Sequence, residues 1–237
     1  MKAFIVFTRI PLEHKTKTRL LPYYTPKQCV GLHIAMLKDL ARTLNCLDAS
    51  VKTYIYYLPE GDVSIIKNIF GDDKTYREQR GEDLGDKMYN AISEVLSEGA
   101  SAVSLSGTDI PMLSAEDIIS SFTALENNDI VLSPTEDGGY YLVGMKNANK
   151  EIFDIEGYGT GSVFENTKQK IEDMGLSLGT GRRHRDIDTK EDIKAYYDIM
   201  RTDADFRKTH TAKFLKENKS IAIIIPTYNE EDTIVSL

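Results

Sequence analysis

Long apolar runs are missing from this chain. None approaches the ~20 residues that a membrane-spanning helix needs, so no helical span is expected. Cysteine is scarce. The two present, Cys29 and Cys46, lack the spacing of a metal-ligand pair, and in a chain without an export signal they read as reduced thiols of a cytoplasmic protein. Positive charge is in deficit, with a net charge of −8. That balance offers no overall field to attract nucleic acid or anionic lipid. The start, Met1-Lys-Ala-Phe-Ile-Val-Phe7, turns polar too soon for a signal peptide and reads as a first strand. There is no Gly-x-x-x-x-Gly-Lys run, so a P-loop is excluded. Repeats and low-complexity segments are absent as well.

What remains is a chain of 237 residues, 41% hydrophobic and 28% charged, enough for one large α/β domain with its own core. Strand-like and helix-like segments alternate, which predicts a mostly parallel sheet with helices on both faces. Strands are expected at Ala3 to Phe7, Val51 to Tyr57, Ala102 to Leu105, Ile130 to Ser133 and Tyr140 to Met145. Thr25-Pro26 opens a helix, with threonine as N-cap and proline at the first helical position. Val30, Ile34, Leu37, Ala41 and Leu44 follow at helical spacing. Further helices are expected over Val63 to Phe70, Leu84 to Leu96 and Ser162 to Met174, the last ended by Gly175. Ser114-Ala-Glu-Asp117 and Thr189-Lys-Glu-Asp192 both read as capping boxes. We therefore divide the chain into a domain over 1–200, a helical tail or linker over 201–220, and a separate segment over 221–237.

Five stretches carry candidate chemistry. Gly107-Thr108-Asp109-Ile110-Pro111 follows a buried strand, and an open α/β sheet presents its ligand groups at the carboxyl ends of strands. Asp109 there either holds a divalent metal, Mg or Mn, against a diphosphate or merely caps a turn. The loop after the first strand concentrates Arg9, Lys15, Lys17 and Arg19 in an otherwise acidic chain. At that edge Arg9, Lys17 and Arg19 suit phosphate oxygens, although a solvated basic loop has the same composition. Gln79-Arg80-Gly81-Glu82-Asp83-Leu84-Gly85 precedes a helix, so Gln79, Gly81 and Gly85 are candidates for base or phosphate contact at its N-terminus. Glu136-Asp137-Gly138-Gly139-Tyr140 joins two strands. It reads as a hairpin turn and as a candidate acceptor site, with Asp137 or Glu136 as general base. Finally, Asp186 and Asp188 alternate around Ile187, which in a strand puts both on one face. One of them, Asp188 foremost, would complete a metal site with Asp109. His184 reads as a polar surface residue.

Together Phe7 to Leu20, Gly81 to Met88, Gly107 to Leu113, Glu136 to Gly144 and Asp186 to Ile193 resemble a bacterial family catalogued as domain of unknown function 2064. Its members are often described as glycosyltransferases, including radical-SAM- and selenium-associated types. The resemblance implies the three-layer α/β/α, Rossmann-like GT-A (nucleotide-diphospho-sugar transferase) fold and a metal-dependent transferase. The donor would be a nucleotide-sugar, with Asp109, Asp137 and Lys17 carrying the reaction onto a small-molecule acceptor. The same motifs resemble 2-phospho-L-lactate guanylyltransferase, which implies the alternative of a nucleoside triphosphate joined to a phosphorylated acceptor with pyrophosphate release. The long Gly-x-Gly-x-x-Arg loop of nucleotidyltransferases is absent. A third possibility is a non-catalytic nucleotide-binding module. The segment Ile221-Ala-Ile-Ile-Ile-Pro-Thr-Tyr-Asn-Glu-Glu resembles the opening of family-2 glycosyltransferases, which implies fusion to, or action beside, such a module.

Overall fold

The computed structural model describes residues 1–155 and 161–219. The expected strand from Ile221 lies outside these residues. Within them, seven strands form one sheet in the order β3-β2-β1-β4-β6-β5-β7. They are β1 (Lys2–Arg9), β2 (Val51–Leu58), β3 (Thr75–Glu78), β4 (Ala102–Ser106), β5 (Ile130–Pro134), β6 (Tyr140–Met145) and β7 (Leu178–Thr180). β6 runs antiparallel to both neighbours and every other pairing is parallel. The result is a mostly parallel mixed sheet.

Among the described residues seven α-helices accompany it: α1 (Pro26–Leu44), α2 (Ser64–Phe70), α3 (Leu84–Ser97), α4 (Ala115–Asn127), α5 (Val163–Asp173), α6 (Lys190–Thr202) and α7 (His210–Glu217). Side chains of β1 alternate between the two layers, as the pleat requires. Ala3, Ile5 and Phe7 join α3 and α5 in one core, while Phe4 and Val6 join α1, α2 and α4 in the other. Both faces of β1 are therefore covered, which explains why it reads as a continuous apolar run. A third cluster gathers Leu32 and Met36 of α1, Ile187, Tyr196 of α6 and Leu215 of α7. Residues 201–219, expected as a helical tail or linker, thus include a helix packed against α1. Asp39 fastens it by accepting the backbone amides of His210 (2.7 Å) and Thr211 (2.8 Å).

Three helix starts are fixed by reciprocal capping boxes, at Thr25 with Gln28, Ser114 with Asp117, and Thr189 with Asp192. Two strands are additions to the expected set. β3 and β7 are the sheet edges, four and three residues long. Short, polar edge strands are an ordinary defence against edge-to-edge pairing, and they leave little apolar signal. Asp186 and Asp188 do not lie in a strand, so the shared face that a strand would give them is not present. Residues 185–188 are non-strand backbone, pinned instead by Ile187 N–H donating to Asp109 O at 2.9 Å.

Candidate functional site

The carboxyl ends of β1 and β4, the loop after β1, the β5–β6 turn and the 185–188 segment surround a cavity of about 470 Å³. Lys17 lines it. Its backbone is left-handed (φ 51°), a conformation few non-glycine residues adopt and one that clusters at functional sites. That bend drives the ammonium inward until only 4% of the side chain is exposed. Lys17 Nζ lies 2.8 Å from Asp109 Oδ1, donates to Ile187 O at 2.5 Å and stands 3.9 Å from Asp188 Oδ1. Arg19 reaches the other oxygen of Asp188 at 2.6 Å. The Asp109 side chain remains 49% exposed on the cavity. Burial raises its carboxyl, but the Lys17 ammonium, its hydrogen bond and the other nearby positive charge together hold it below the ordinary carboxylate value. The structure thus brings together Lys17, Arg19, Asp109 and Asp188 from three distant parts of the sequence.

Asp186 and Asp137 occupy the cavity wall as well. Burial pushes the Asp186 carboxyl up to about 7, and the nearby charges of Asp137 and Asp192 add to the rise. Asp137 is held by its own turn: Oδ1 accepts from Thr135 Oγ1 at 2.5 Å and from the Gly139 amide at 3.0 Å. Gly139 and Tyr140 line the cavity beside it. Arg9 also lines it, donating from its guanidinium to Lys15 O at 2.5 Å.

Other expected site residues are placed differently. Glu136 is absent from the cavity lining because Arg185 binds it, and Arg185 also holds Asp192 at 3.0 Å. Gly138 (φ 89°) is required by packing: a Cβ there would stand 1.9 Å from Gly161 O. Gly81 (φ 146°) lies tight against the first turn of α3, where a Cβ would meet Lys87 N at 2.8 Å. Neither Gly81 nor Gly85, which is buried in that turn, lines the cavity. Gln79 does line it, but its amide nitrogen serves the chain, donating to Thr8 O (2.7 Å) and Tyr56 O (3.1 Å). His184 is buried rather than on the surface. Its Nε2 stands 3.0 Å from Asp117 Oδ2, and because an ionised carboxylate only accepts, the imidazole donates. This bond, with Glu136 N–H to His184 O and His184 N–H to Pro134 O, lays the 182–188 segment along the end of β5.

Three residues that sequence reasoning missed also line the cavity. Thr8 and Thr108 hydroxyls are 3.4 Å apart, and His33 Nε2 of α1 lies 3.3 Å from Thr108 Oγ1. Burial pulls the His33 imidazole down to about 4, so it is neutral at physiological pH. The only sequence signal was a histidine inside the apolar stripe of α1.

The sequence profile of a family described as uncharacterized protein conserved in bacteria, DUF2064, matches residues 42–160. The chain belongs to this family. Among curated proteins nothing matches. A solved structure of a provisionally assigned nucleotide-diphospho-sugar transferase from Desulfovibrio desulfuricans G20 is 27% identical. It superposes with a TM-score of 0.84 over 92% of this chain and 94% of that one. Two more distant structures share the fold alone. One is a CMP:2-keto-3-deoxy-manno-octonic acid synthetase in complex with CTP (12% identity, TM-score 0.52, 85% of this chain and 99% of that one). The other is the 4-diphosphocytidyl-2C-methyl-D-erythritol synthase of Anaerococcus prevotii (14%, 0.52, 83% and 96%). The DUF2064 chain therefore has the Rossmann-like fold shared by nucleotide-sugar and nucleotidyl transferases. Among the described residues no helix is long and apolar enough to cross a membrane.

Proposed function

We propose that this DUF2064 protein is a transferase that takes a nucleotide-sugar as donor and moves the sugar to a small acceptor. One observation carries the reading: Lys17, Arg19, Asp109 and Asp188 converge in a cavity at the carboxyl edge of the sheet. Lys17 and Arg19 supply positive charge where a donor diphosphate would develop negative charge on leaving. In the transfer, an acceptor hydroxyl oxygen bonds to the anomeric carbon and the bond from that carbon to the diphosphate oxygen breaks. The hydroxyl proton passes to a cavity carboxylate, Asp137 or Asp186, and the nucleoside diphosphate departs. Glu136, held by Arg185, takes no part.

A divalent cation, Mg or Mn, fits the donor set. Asp109 and Asp188 present hard carboxylate oxygens on either side of Lys17 Nζ, and Mg²⁺ usually takes one or two carboxylates together with substrate phosphates. No cluster of three or more ligating side chains exists among the described residues. Asp109 and Asp188 would hold the ion, whose contribution when bound is neutralisation of phosphate charge. The resemblance of the Ile221 segment supports action beside a family-2 glycosyltransferase module, and the two free cysteines accord with a reducing compartment such as the cytoplasm.

The nucleotidyltransferase reading is supported by the motif resemblance to 2-phospho-L-lactate guanylyltransferase and by the fold shared with the CTP-bound synthetase. Product chemistry separates the two. Incubation with a panel of nucleotide-sugars and nucleoside triphosphates, each with Mg²⁺ and a set of hydroxylated and phosphorylated small-molecule acceptors, should release nucleoside diphosphate from a nucleotide-sugar. Release of pyrophosphate from a triphosphate would overturn the sugar-transfer reading.

A further inference from the structure

The balance of charge across the cavity bears on the acceptor. Four cations and four aspartates line it. All four cations, Arg9, Lys15, Lys17 and Arg19, come from the end of β1 and the loop that follows it. Three of them are already matched: Lys17 to Asp109, Arg19 to Asp188, and Lys15 to Glu60 at 3.0 Å. The other pair of aspartates, Asp137 and Asp186, forms no ion pair among the described residues. The arginines that seemed available beside them in sequence are spent elsewhere. Arg183 donates to Thr135 O, Arg185 binds Glu136 and Asp192, and Arg182 lies 3.8 Å from Asp117. None of the three lines the cavity.

We propose that the acceptor is a hydroxyl compound without an anionic group at its reacting end, neutral or aminated, and neither a phosphate nor a carboxylate. The inference rests on the nucleotide-donor reading and deepens it. A donor diphosphate uses the cations of the β1 loop, which leaves an acceptor facing Asp137 and Asp186. An anionic acceptor there meets like charge on Asp137 and on the ionised form of Asp186, which disfavours it. A hydroxyl or ammonium group finds hydrogen-bond acceptors instead. On the same ground, joining a triphosphate to a phosphorylated acceptor lacks the cations it needs.

The test uses orthophosphate as the anionic probe. The whole protein is first screened with Mg²⁺ against nucleoside diphosphates, and the one that stabilises it most is kept saturating. Orthophosphate is then titrated calorimetrically into wild type, Asp137→Asn, Asp186→Asn and the double variant, after thermal melts show each is folded. The expected result is that phosphate binds the double variant ~10-fold or more tightly than wild type, with the single variants between. Equal phosphate affinity in wild type and variants overturns the inference while leaving the donor reading intact. If no nucleoside diphosphate stabilises the wild type, the donor reading itself fails, and the acceptor inference fails with it.

Discussion

Asp117 ties the architecture of the site to its stability, and its acid titration can be worked from the structure. Its carboxylate accepts Ser114 N–H at 3.0 Å, Ser114 Oγ at 2.7 Å and His184 Nε2 at 3.0 Å. It thereby caps α4 and anchors the segment that carries Asp186 and Asp188. Burial alone would raise this carboxyl. The bonds from His184 and Ser114 more than reverse that, lowering it from 3.8 to about 2. A carboxyl with a lower value in the folded chain than in the unfolded chain stabilises the fold above pH ~4, and the stabilisation disappears as the pH falls to ~2. At roughly 1.4 kcal/mol per unit, the contribution at neutral pH is about 2 kcal/mol. Asp117→Asn keeps the shape and removes the charge, so at pH 7 it should melt ~4–8 °C lower, as expected for a domain of this size. Urea melts of both proteins from pH 7 downward should show the gap closing by about 2 kcal/mol between pH ~4 and ~2. A gap of constant size over that range, or none at pH 7, refutes the reasoning.

Other substitutions test other parts of the account. Gly138→Ala forces a left-handed alanine against Gly161 O and should cost about 2 kcal/mol or more, read as a lower midpoint in chemical denaturation. Leu215→Ala removes a fully buried side chain between α7 and α1. It should cost about 3 kcal/mol within a single cooperative transition; a separate early transition of α7 would mean that the helix is only loosely attached. Asp109→Asn should leave the fold intact and lower transfer ~100-fold or more, measured as nucleoside diphosphate release.

Local chemistry made much of the fold legible. Thr25, Ser114 and Thr189 announce their helices because a capping box is complete within four residues, and buried strands such as β1 and β4 show themselves as apolar runs. β3 and β7 escaped because an edge strand buries little. Thr75-Tyr-Arg-Glu78 is polar, and Leu178-Gly-Thr180 has a glycine where a β-branched residue would signal a strand. At the site, Lys17, Arg19, Asp109 and Asp188 were legible because each follows a recognisable strand or precedes a recognisable helix. His184 was read as a surface residue, and the pairing of Glu136 with Arg185 was not foreseen, because their partners, Asp117 and Arg185, are 67 and 49 residues away. Only tertiary structure shows that one is occupied and the other buried. His33 was hidden for the opposite reason: a histidine in an apolar helix face looks like core until Thr108 is placed beside it.

The central claim is that Asp109 and Lys17 form the floor of a nucleotide-sugar site. Thermal stabilisation by uridine- and guanosine-diphosphate sugars, with and without Mg²⁺ or Mn²⁺, tests it most directly, because a ligand that binds only the folded state must raise the melting temperature. The account predicts a rise with one diphosphate-sugar that requires the metal and is absent in Asp109→Asn. Stabilisation by a triphosphate alone, or a rise with a diphosphate-sugar that is unchanged in Asp109→Asn, would contradict it.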